Sequence, residues 1–140
     1  MMVQGKPNKS KSSWNSKPTN GYGRYEYSNE DWYIGYWQNG EREGYGTYHY
    51  GPDDNRKSYA GYWKNGDKDG YGKLIYRDGD VYEGKFRDGW REGEGKFTWS
   101  DGTVYEGDFK KGDIRQELRY LSKYAILGNP KKCTEICGMS

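Results

Sequence analysis

The sequence offers few residues whose types and spacing suit catalysis or metal binding. It contains one histidine, His49, and two cysteines, Cys133 and Cys137. A histidine can act as a general base near neutral pH, and thiolates bind zinc together with imidazole nitrogens. Two cysteines and one distant histidine cannot complete the roughly four ligands of a structural zinc site. We therefore expect no metal, no cofactor and no catalytic residue, and we interpret His49 as an inert residue on a surface strand.

Glycine pairs and turn aspartates also fail to indicate an enzyme. A phosphate-binding glycine loop follows a strand and opens a helix, and no Gly-x-Gly pair in this sequence has that context. Asp78, Asp80 and Asp101 stand beside glycines, where turn geometry by itself favours aspartate. The sequence predicts a non-enzymatic protein.

The last four residues, CGMS, have the form of a prenylation box in which Cys137 would carry the lipid. Lys131, Lys132 and Cys133 would supply the second signal that stable membrane anchoring requires. Gly138 is a poor first residue of such a box. The alternative is that the tail has this form by chance and Cys137 and Cys133 stay unmodified.

Composition indicates one small domain whose core is built from rings. The chain has 140 residues and is only 31% hydrophobic, yet it contains 16 Tyr, 6 Trp and 3 Phe. Disordered chains are depleted of aromatic residues, so the composition favours a folded protein. The first twenty residues lack the apolar stretch of a signal peptide, and no transmembrane run occurs. We expect a cytoplasmic protein.

Charge is distributed unevenly along the chain. Residues 1–20 carry four lysines and no acid, whereas residues 21–112 carry 14 basic and 18 acidic residues, a net charge of −4. Residues 113–140 carry five basic and three acidic residues. An acidic central region without a basic stripe argues against nucleic-acid binding.

A phrase of the form Tyr-x-Gly-x-aromatic recurs through the acidic region with a period of 23 residues. Its tyrosines are Tyr33, Tyr59, Tyr82 and Tyr105, and the first interval is three residues longer because of an insertion within residues 51–58. The other repeat-core positions are Gly35, Gly61, Gly84 and Gly107, followed by Trp37, Trp63, Phe86 and Phe109. Turn glycines separate two runs of alternating residues in each unit, which predicts a β-hairpin per repeat. Rings and glycines share one predicted face, so we expect rings to lie across the glycines of neighbouring strands.

This phrase resembles the MORN repeat, the membrane occupation and recognition nexus motif, over residues 21–112. The resemblance implies an all-β repeat array: an elongated, curved, single antiparallel sheet of successive hairpins. We divide it into a degenerate unit at 10–32, units at 33–58, 59–81 and 82–104, and a half repeat at 105–112, after a basic disordered tail at 1–9. The assignment of residues 10–14 rests on Trp14 aligning with Trp37, which chance would also explain.

Beyond the array, the spacing of Ile114, Leu118, Leu121 and Ala125 predicts a short amphipathic α-helix over residues 113–128, with a flexible tail at 129–140. One interpretation is that this helix covers the open edge of the last hairpin. The alternative is that it lies on the aromatic face as a self-inhibitor or as a homodimerisation element.

The remaining candidate site is a set of tyrosines predicted to point away from the ring core: Tyr22, Tyr36, Tyr45, Tyr62 and Tyr71. Exposed rings suit protein interfaces, although β-propensity alone would also account for tyrosines in strands. We expect a scaffold or adaptor that binds another protein through these tyrosines or, alternatively, through the continuous aromatic face of the sheet. An amphipathic helix is a candidate ligand. The alternative is a peripheral membrane module for anionic phospholipids. The resemblance makes a cytoskeletal, ciliary or flagellar setting plausible.

Overall fold

The computed structural model describes residues 16–114, and their strands form one open antiparallel sheet. Every strand pairs with its neighbours in chain order, which confirms the predicted array of successive hairpins. At a spacing of about 4.8 Å per strand, the sheet is roughly 40 Å long across its strands. The strands are β1 (Gly21–Glu26), β2 (Trp32–Gln38), β3 (Glu41–His49), β4 (Arg56–Lys64), β5 (Asp67–Tyr76), β6 (Val81–Arg87), β7 (Trp90–Thr98), β8 (Val104–Lys110) and β9 (Asp113–Ile114).

Tight two-residue turns close one end of each hairpin. In the β2–β3 turn, Asn39 and Gly40 both have positive φ, 53° and 78°. This is the type I′ geometry that matches the twist of paired strands and favours Asn-Gly and Asp-Gly sequences. Asn65-Gly66, Asp88-Gly89 and Lys111-Gly112 repeat it at the later hairpins.

Each tight turn is also tied to the preceding unit. The amide of Gly66 donates to the carbonyl of Arg42 at 3.0 Å, and the amide of Gly112 donates to the carbonyl of Arg91 at 2.8 Å. Gly40 donates in the same way to Thr19, which lies before β1. Thr19 therefore takes the structural place of Arg42 in the first, degenerate unit.

At the opposite ends of the strands, side-chain oxygens organise longer turns. A carboxylate oxygen of Asp78 accepts the amide of Asp80 at 3.0 Å, and Asp101 accepts the amide of Thr103 at 2.9 Å. These contacts confirm the structural role predicted for the turn aspartates. Asp80 also accepts the amide of Ser100 at 2.8 Å, so it links its own turn to the next one.

A continuous row of glycines crosses eight strands of the sheet. Its members pair with one another in succession and are Gly23, Gly35, Gly46, Gly61, Gly72, Gly84, Gly95 and Gly107. The ring of Tyr33 lies over Gly35 and Gly46, where any Cβ would collide with it. Its hydroxyl donates to the carbonyl of Tyr36 at 3.0 Å. The row thus provides the room that the rings need, as predicted from the glycine spacing.

The rings themselves form a ladder along the same face, which we call the inner face. They meet edge to face, with centroids 5.0 to 5.5 Å apart, in the order Trp37, Tyr33, Trp63, Tyr59, Phe86, Tyr82, Phe109 and Tyr105. Such geometry is the favoured one for aromatic pairs. All eight rings are buried, so the repeat-core residues form the core of the array.

The structure corrects the predicted start of the C-terminal helix. Asp113 and Ile114 form β9 and pair with β8, because Lys111-Gly112 makes the same tight turn as the other hairpins. The rest of the predicted helix, residues 115–128, lies outside the described residues. The two predicted tails, residues 10–14 of the degenerate unit, and Cys133 and Cys137 also lie outside them. Across residues 16–114, the structure contains no helix with the length and apolar character of a membrane span.

Candidate functional site

A line of exposed tyrosines runs across the sheet on the side opposite the ladder, which we call the outer face. Strands β1 to β5 contribute one ring each, and the rings are between 48% and 60% exposed. We call them the tyrosine row: Tyr22, Tyr36, Tyr45, Tyr62 and Tyr71. The structure therefore places in one line the five residues that we predicted from the sequence as candidates for partner binding.

Cross-strand pairing orients the rings of this row. In the register of the paired strands, Tyr22 lies opposite Tyr36 and Tyr45 lies opposite Tyr62. The ring centroids are 5.2 Å apart in the first pair and 5.4 Å in the second, both edge to face. Paired rings hold one another in place, so the row presents aromatic surface with little side-chain freedom left to lose on binding.

Glycines at irregularities in the pairing leave these rings uncovered on one side. Gly44 lies within the bulge of the β2–β3 pair and has a φ of 79°, and a Cβ there would lie 3.6 Å from the Cβ of Tyr36. Gly70 takes the same place beside Tyr62, with a φ of 100° and a 3.3 Å separation. No side chain therefore stands at either glycine to cover the neighbouring tyrosine.

The tyrosine row ends at β6, where charged residues replace it. Tyr71 lies opposite Lys85, and the corresponding positions on β7 and β8 are Glu94 and Asp108. A parallel row alternates in sign through Lys73, Glu83, Lys96 and Glu106. The outer face is thus divided into an aromatic half on β1–β5 and a charged half of mixed sign on β6–β8.

His49 belongs to a stacked group at one end of the aromatic half. Its ring stacks on Trp32 with centroids 3.8 Å apart and planes 11° from parallel, and the Arg24 guanidinium lies 3.8 Å from the Trp32 ring centre. Burial and the nearby charge of Arg24 lower the pKa of His49, so the imidazole is neutral at pH 7. These contacts give His49 a packing role on the outer face.

Sequence reasoning missed Trp32 and the exposed Trp90 as outer-face residues. Trp32 is adjacent to the core residue Tyr33, and Trp90 is adjacent to buried Arg91. Alternation along a strand sends neighbours to opposite faces, so this rule would have identified both tryptophans.

Three cations on the inner face were also missed. They lie opposite rings of the ladder: Arg42 opposite Trp37, Lys68 opposite Trp63 and Arg91 opposite Phe86. Each stands two residues after a turn glycine, and this fixed position was the available signal.

Arg42 shows how these cations are held. Its guanidinium donates to the Tyr27 hydroxyl at 2.7 Å and to the carbonyl of Gly66, and it lies 4.7 Å from the centre of the Trp63 ring. Positive charge over an aromatic face is favourable. The cations therefore extend the ladder and join successive hairpins.

Among residues 16–114, no group of three or more histidine, cysteine, aspartate or glutamate side chains could hold a metal ion. Buried and half-buried polar groups, such as Asp31 and Tyr48, satisfy one another through hydrogen bonds.

Comparison with known proteins gives one family match. The family model described as MORN repeat matches residues 12–32, 33–54, 59–81 and 82–104. The first match recognises the degenerate unit as a repeat, in agreement with the position of Thr19. No curated protein matches the sequence.

Proposed function

Since the chain belongs to the MORN-repeat family, whose repeats are non-catalytic modules that commonly bind proteins or lipids, we propose that it is a non-enzymatic scaffold that binds a partner protein. The proposed contact surface is the tyrosine row on the outer face. The supporting observation is the alignment of five half-exposed tyrosines across consecutive strands, ending where the charged half begins.

The physical argument rests on what a binding partner would gain from this surface. Tyrosine buries a large area with only two side-chain torsions and keeps a hydroxyl for hydrogen bonding, which is why it is enriched at interface hot spots. The row stands on paired strands, so binding would require little reorganisation of the backbone. An amphipathic helix with an apolar stripe is one ligand that fits a linear row of rings.

A cytoskeletal, ciliary or flagellar setting within the cytoplasm is part of this proposal and follows from family resemblance. The second candidate is peripheral binding to anionic phospholipid, aided by lipidation at Cys137. The outer face offers limited support for it, because Lys85 and Lys96 alternate there with Glu83, Glu94 and Glu106. A basic surface of one sign would bind an anionic membrane more strongly.

The proposal is tested with two triple variants of the full chain. One replaces Tyr36, Tyr62 and Tyr71 by serine, and the other replaces Lys85, Glu94 and Lys96 by serine. Proximity labelling in ciliated cells is expected to show a set of neighbouring proteins that the tyrosine variant loses and the charge variant keeps. Equal loss in both variants, or retention in both, would contradict the tyrosine row as the interface.

Vesicle co-sedimentation separates the lipid alternative. Full-length unmodified protein is mixed with neutral vesicles and with vesicles containing phosphatidylserine. We expect no binding that depends on the tyrosine row. Sedimentation with acidic vesicles that the tyrosine variant abolishes would favour the membrane function instead.

A further inference from the structure

The middle hairpin, β4–β5, differs from its neighbours at two inner-face positions. At the position after the tight turn it has Lys68, where the adjacent hairpins have Arg42 and Arg91. Later in the same strand it has Leu74, where the equivalent residues are the rings of Tyr48 and Phe97. At both positions the middle hairpin therefore has a smaller side chain on the inner face than the adjacent hairpins have. The insertion that lengthens the first repeat interval lies beside them, in the loop before β4.

A cavity of about 600 Å³ opens at this place on the inner face. Its apolar lining comes from Leu74, Tyr76 and Phe86, which are buried members of the core. Lys68 and Arg91 bring positive charge to it, and the inserted loop at 53–56 forms its rim. We call it the middle cleft.

Neither Lys68 nor Arg91 forms a salt bridge with a carboxylate of residues 16–114. The Lys68 ammonium donates to the Tyr50 hydroxyl at 3.3 Å and lies over the Tyr59 ring. Arg91 is only 3% exposed, and its Nη2 donates to the carbonyl of Gly112, whereas its Nη1 makes no hydrogen bond in the described part of the chain. A buried guanidinium with an unsatisfied nitrogen is uncommon and calls for an acceptor.

The acids at the rim do not neutralise these cations. Asp54 is engaged by Arg56, whose Nε and Nη2 each lie 2.9 Å from its carboxylate oxygens. Asp53 is exposed to solvent on the same loop. The burial of Lys68 and the nearby charges of Arg56 and Arg42 lower its pKa to about 8, and this outweighs the opposite effect of Asp67 and Asp54.

We propose that the middle cleft binds an acidic segment of a partner protein, whose carboxylates lie at Lys68 and Arg91 and whose apolar side chain packs on Leu74 and Phe86. Charge complementarity favours an anion, and the apolar lining favours an anion that carries hydrocarbon. This site is on the opposite face from the tyrosine row and does not depend on it.

The spacing of the cations favours an extended acidic segment over a single phosphate group. Lys68 is on β5 and Arg91 is on β7, so β6 separates them and their backbones lie about 10 Å apart. Carboxylates two or three residues apart in an extended peptide span a comparable distance. One phosphate would need both cations to converge on a single centre.

The test uses the full chain labelled with ¹³C-lysine and two blocked peptides, Ac-ELEFE-amide and its neutral analogue Ac-QLQFQ-amide. NMR titration is expected to move the Lys68 ¹³Cε resonance with the acidic peptide only, and to raise the pKa of Lys68 above about 8. Lys73 lies on the same strand but on the outer face, so its resonance should stay in place.

Matched variants complete the experiment. Lys68→Gln is expected to weaken binding of the acidic peptide by about tenfold or more, whereas Lys73→Gln should leave it unchanged. Leu74→Phe restores the ring of the neighbouring hairpins and should also reduce binding, because it fills the cleft. This variant keeps the test decisive if Lys68→Gln alters the fold.

Four outcomes would overturn the proposal, and the first three concern the peptides. They are an unchanged Lys68 resonance at millimolar acidic peptide, equal responses to the two peptides, and equal weakening by Lys68→Gln and Lys73→Gln. Phosphatidylserine vesicles that bind through Lys68 when the peptide does not would also overturn it and assign the cleft to lipid.

Discussion

The rings of Tyr33 and Trp63 lie edge to face with centroids 5.4 Å apart, although they belong to strands β2 and β4, which are not hydrogen-bonded neighbours. Two further buried tyrosines of the ladder make the same contact with a ring two strands away: Tyr59 with Phe86, and Tyr82 with Phe109. Backbone hydrogen bonds therefore connect adjacent strands, and side chains connect adjacent repeats.

Trp63→Ala should destabilise the array by about 3–5 kcal/mol, because a buried ring is removed and a cavity is left. Trp63 is 5% exposed, contacts Tyr33 and Tyr59, and donates from Nε1 to the carbonyl of Gly46 at 3.1 Å. Thermal and urea unfolding would measure the loss. Tyr62→Ala, one residue away on the outer face, is the matched control and should change stability by less than about 1 kcal/mol. Equal effects would mean that both faces are buried.

Gly72→Ala should also be destabilising, by about 1–3 kcal/mol or more, because overpacking forces buried groups to move. The ring of Tyr59 lies over Gly72 and occupies the space that a Cβ would need. Tyr59→Leu shortens that side chain, so the cost of Gly72→Ala should be smaller in its presence. A double-mutant cycle by urea denaturation would measure the coupling, and strictly additive effects would contradict direct contact.

Asp31→Ala should cost about 2–3 kcal/mol, because it leaves buried donors without an acceptor. Asp31 is 7% exposed, and its carboxylate accepts the Tyr48 hydroxyl and the Gly51 amide, each at 2.6 Å. Differential scanning calorimetry would report the change. Asp53→Ala in the exposed part of the neighbouring loop serves as control. An Asp31→Ala variant with unchanged stability would show that water replaces the carboxylate as acceptor.

The stability of the protein should rise with pH between about 8 and 10. Lys68 has a folded-state pKa of about 8, lowered from 10.5 chiefly by burial. Between these two values Lys68 is protonated in the unfolded chain and largely deprotonated in the folded protein, so raising the pH favours the folded state. Above about pH 10 the trend should reverse, because burial raises the pKa of Tyr33, Tyr59 and Tyr82 and the unfolded tyrosines ionise first.

Urea denaturation at several pH values would measure both limbs of this profile. Lys68→Met removes the group responsible for the rising limb and should leave the falling limb in place. A rise that persists in the Lys68→Met variant would assign it to another residue.

Periodic features of the sequence predicted most of the fold. The 23-residue spacing located the hairpins, and alternation around Gly84 assigned the two faces, because strands have a side-chain period of two. The tyrosine row followed from the same alternation. The turn glycines Gly40, Gly66, Gly89 and Gly112 located the tight turns, since glycine tolerates positive φ.

Features that break the period were not predictable in the same way. The middle cleft depends on two residues that depart from the repeat pattern, Lys68 and Leu74. That they line one cavity becomes visible only when β5 is placed between its neighbouring strands. The Asp31 carboxylate, just before β2, accepts the amide of Gly51, just after β3, and no spacing rule in the sequence predicts this contact. The strand at Asp113–Ile114 was missed because the apolar spacing beyond it outweighed the local turn signal of Gly112.

The contacts between rings two strands apart also determine how the array should respond to a mechanical load. A force that peels the sheet from one edge would break backbone hydrogen bonds strand by strand if those bonds were its only connections. Because Tyr33 contacts Trp63 across β3, detaching β2 also breaks the contact between the first and second hairpins. The unit of rupture is therefore a whole hairpin, and a pulling experiment should show steps of one repeat length.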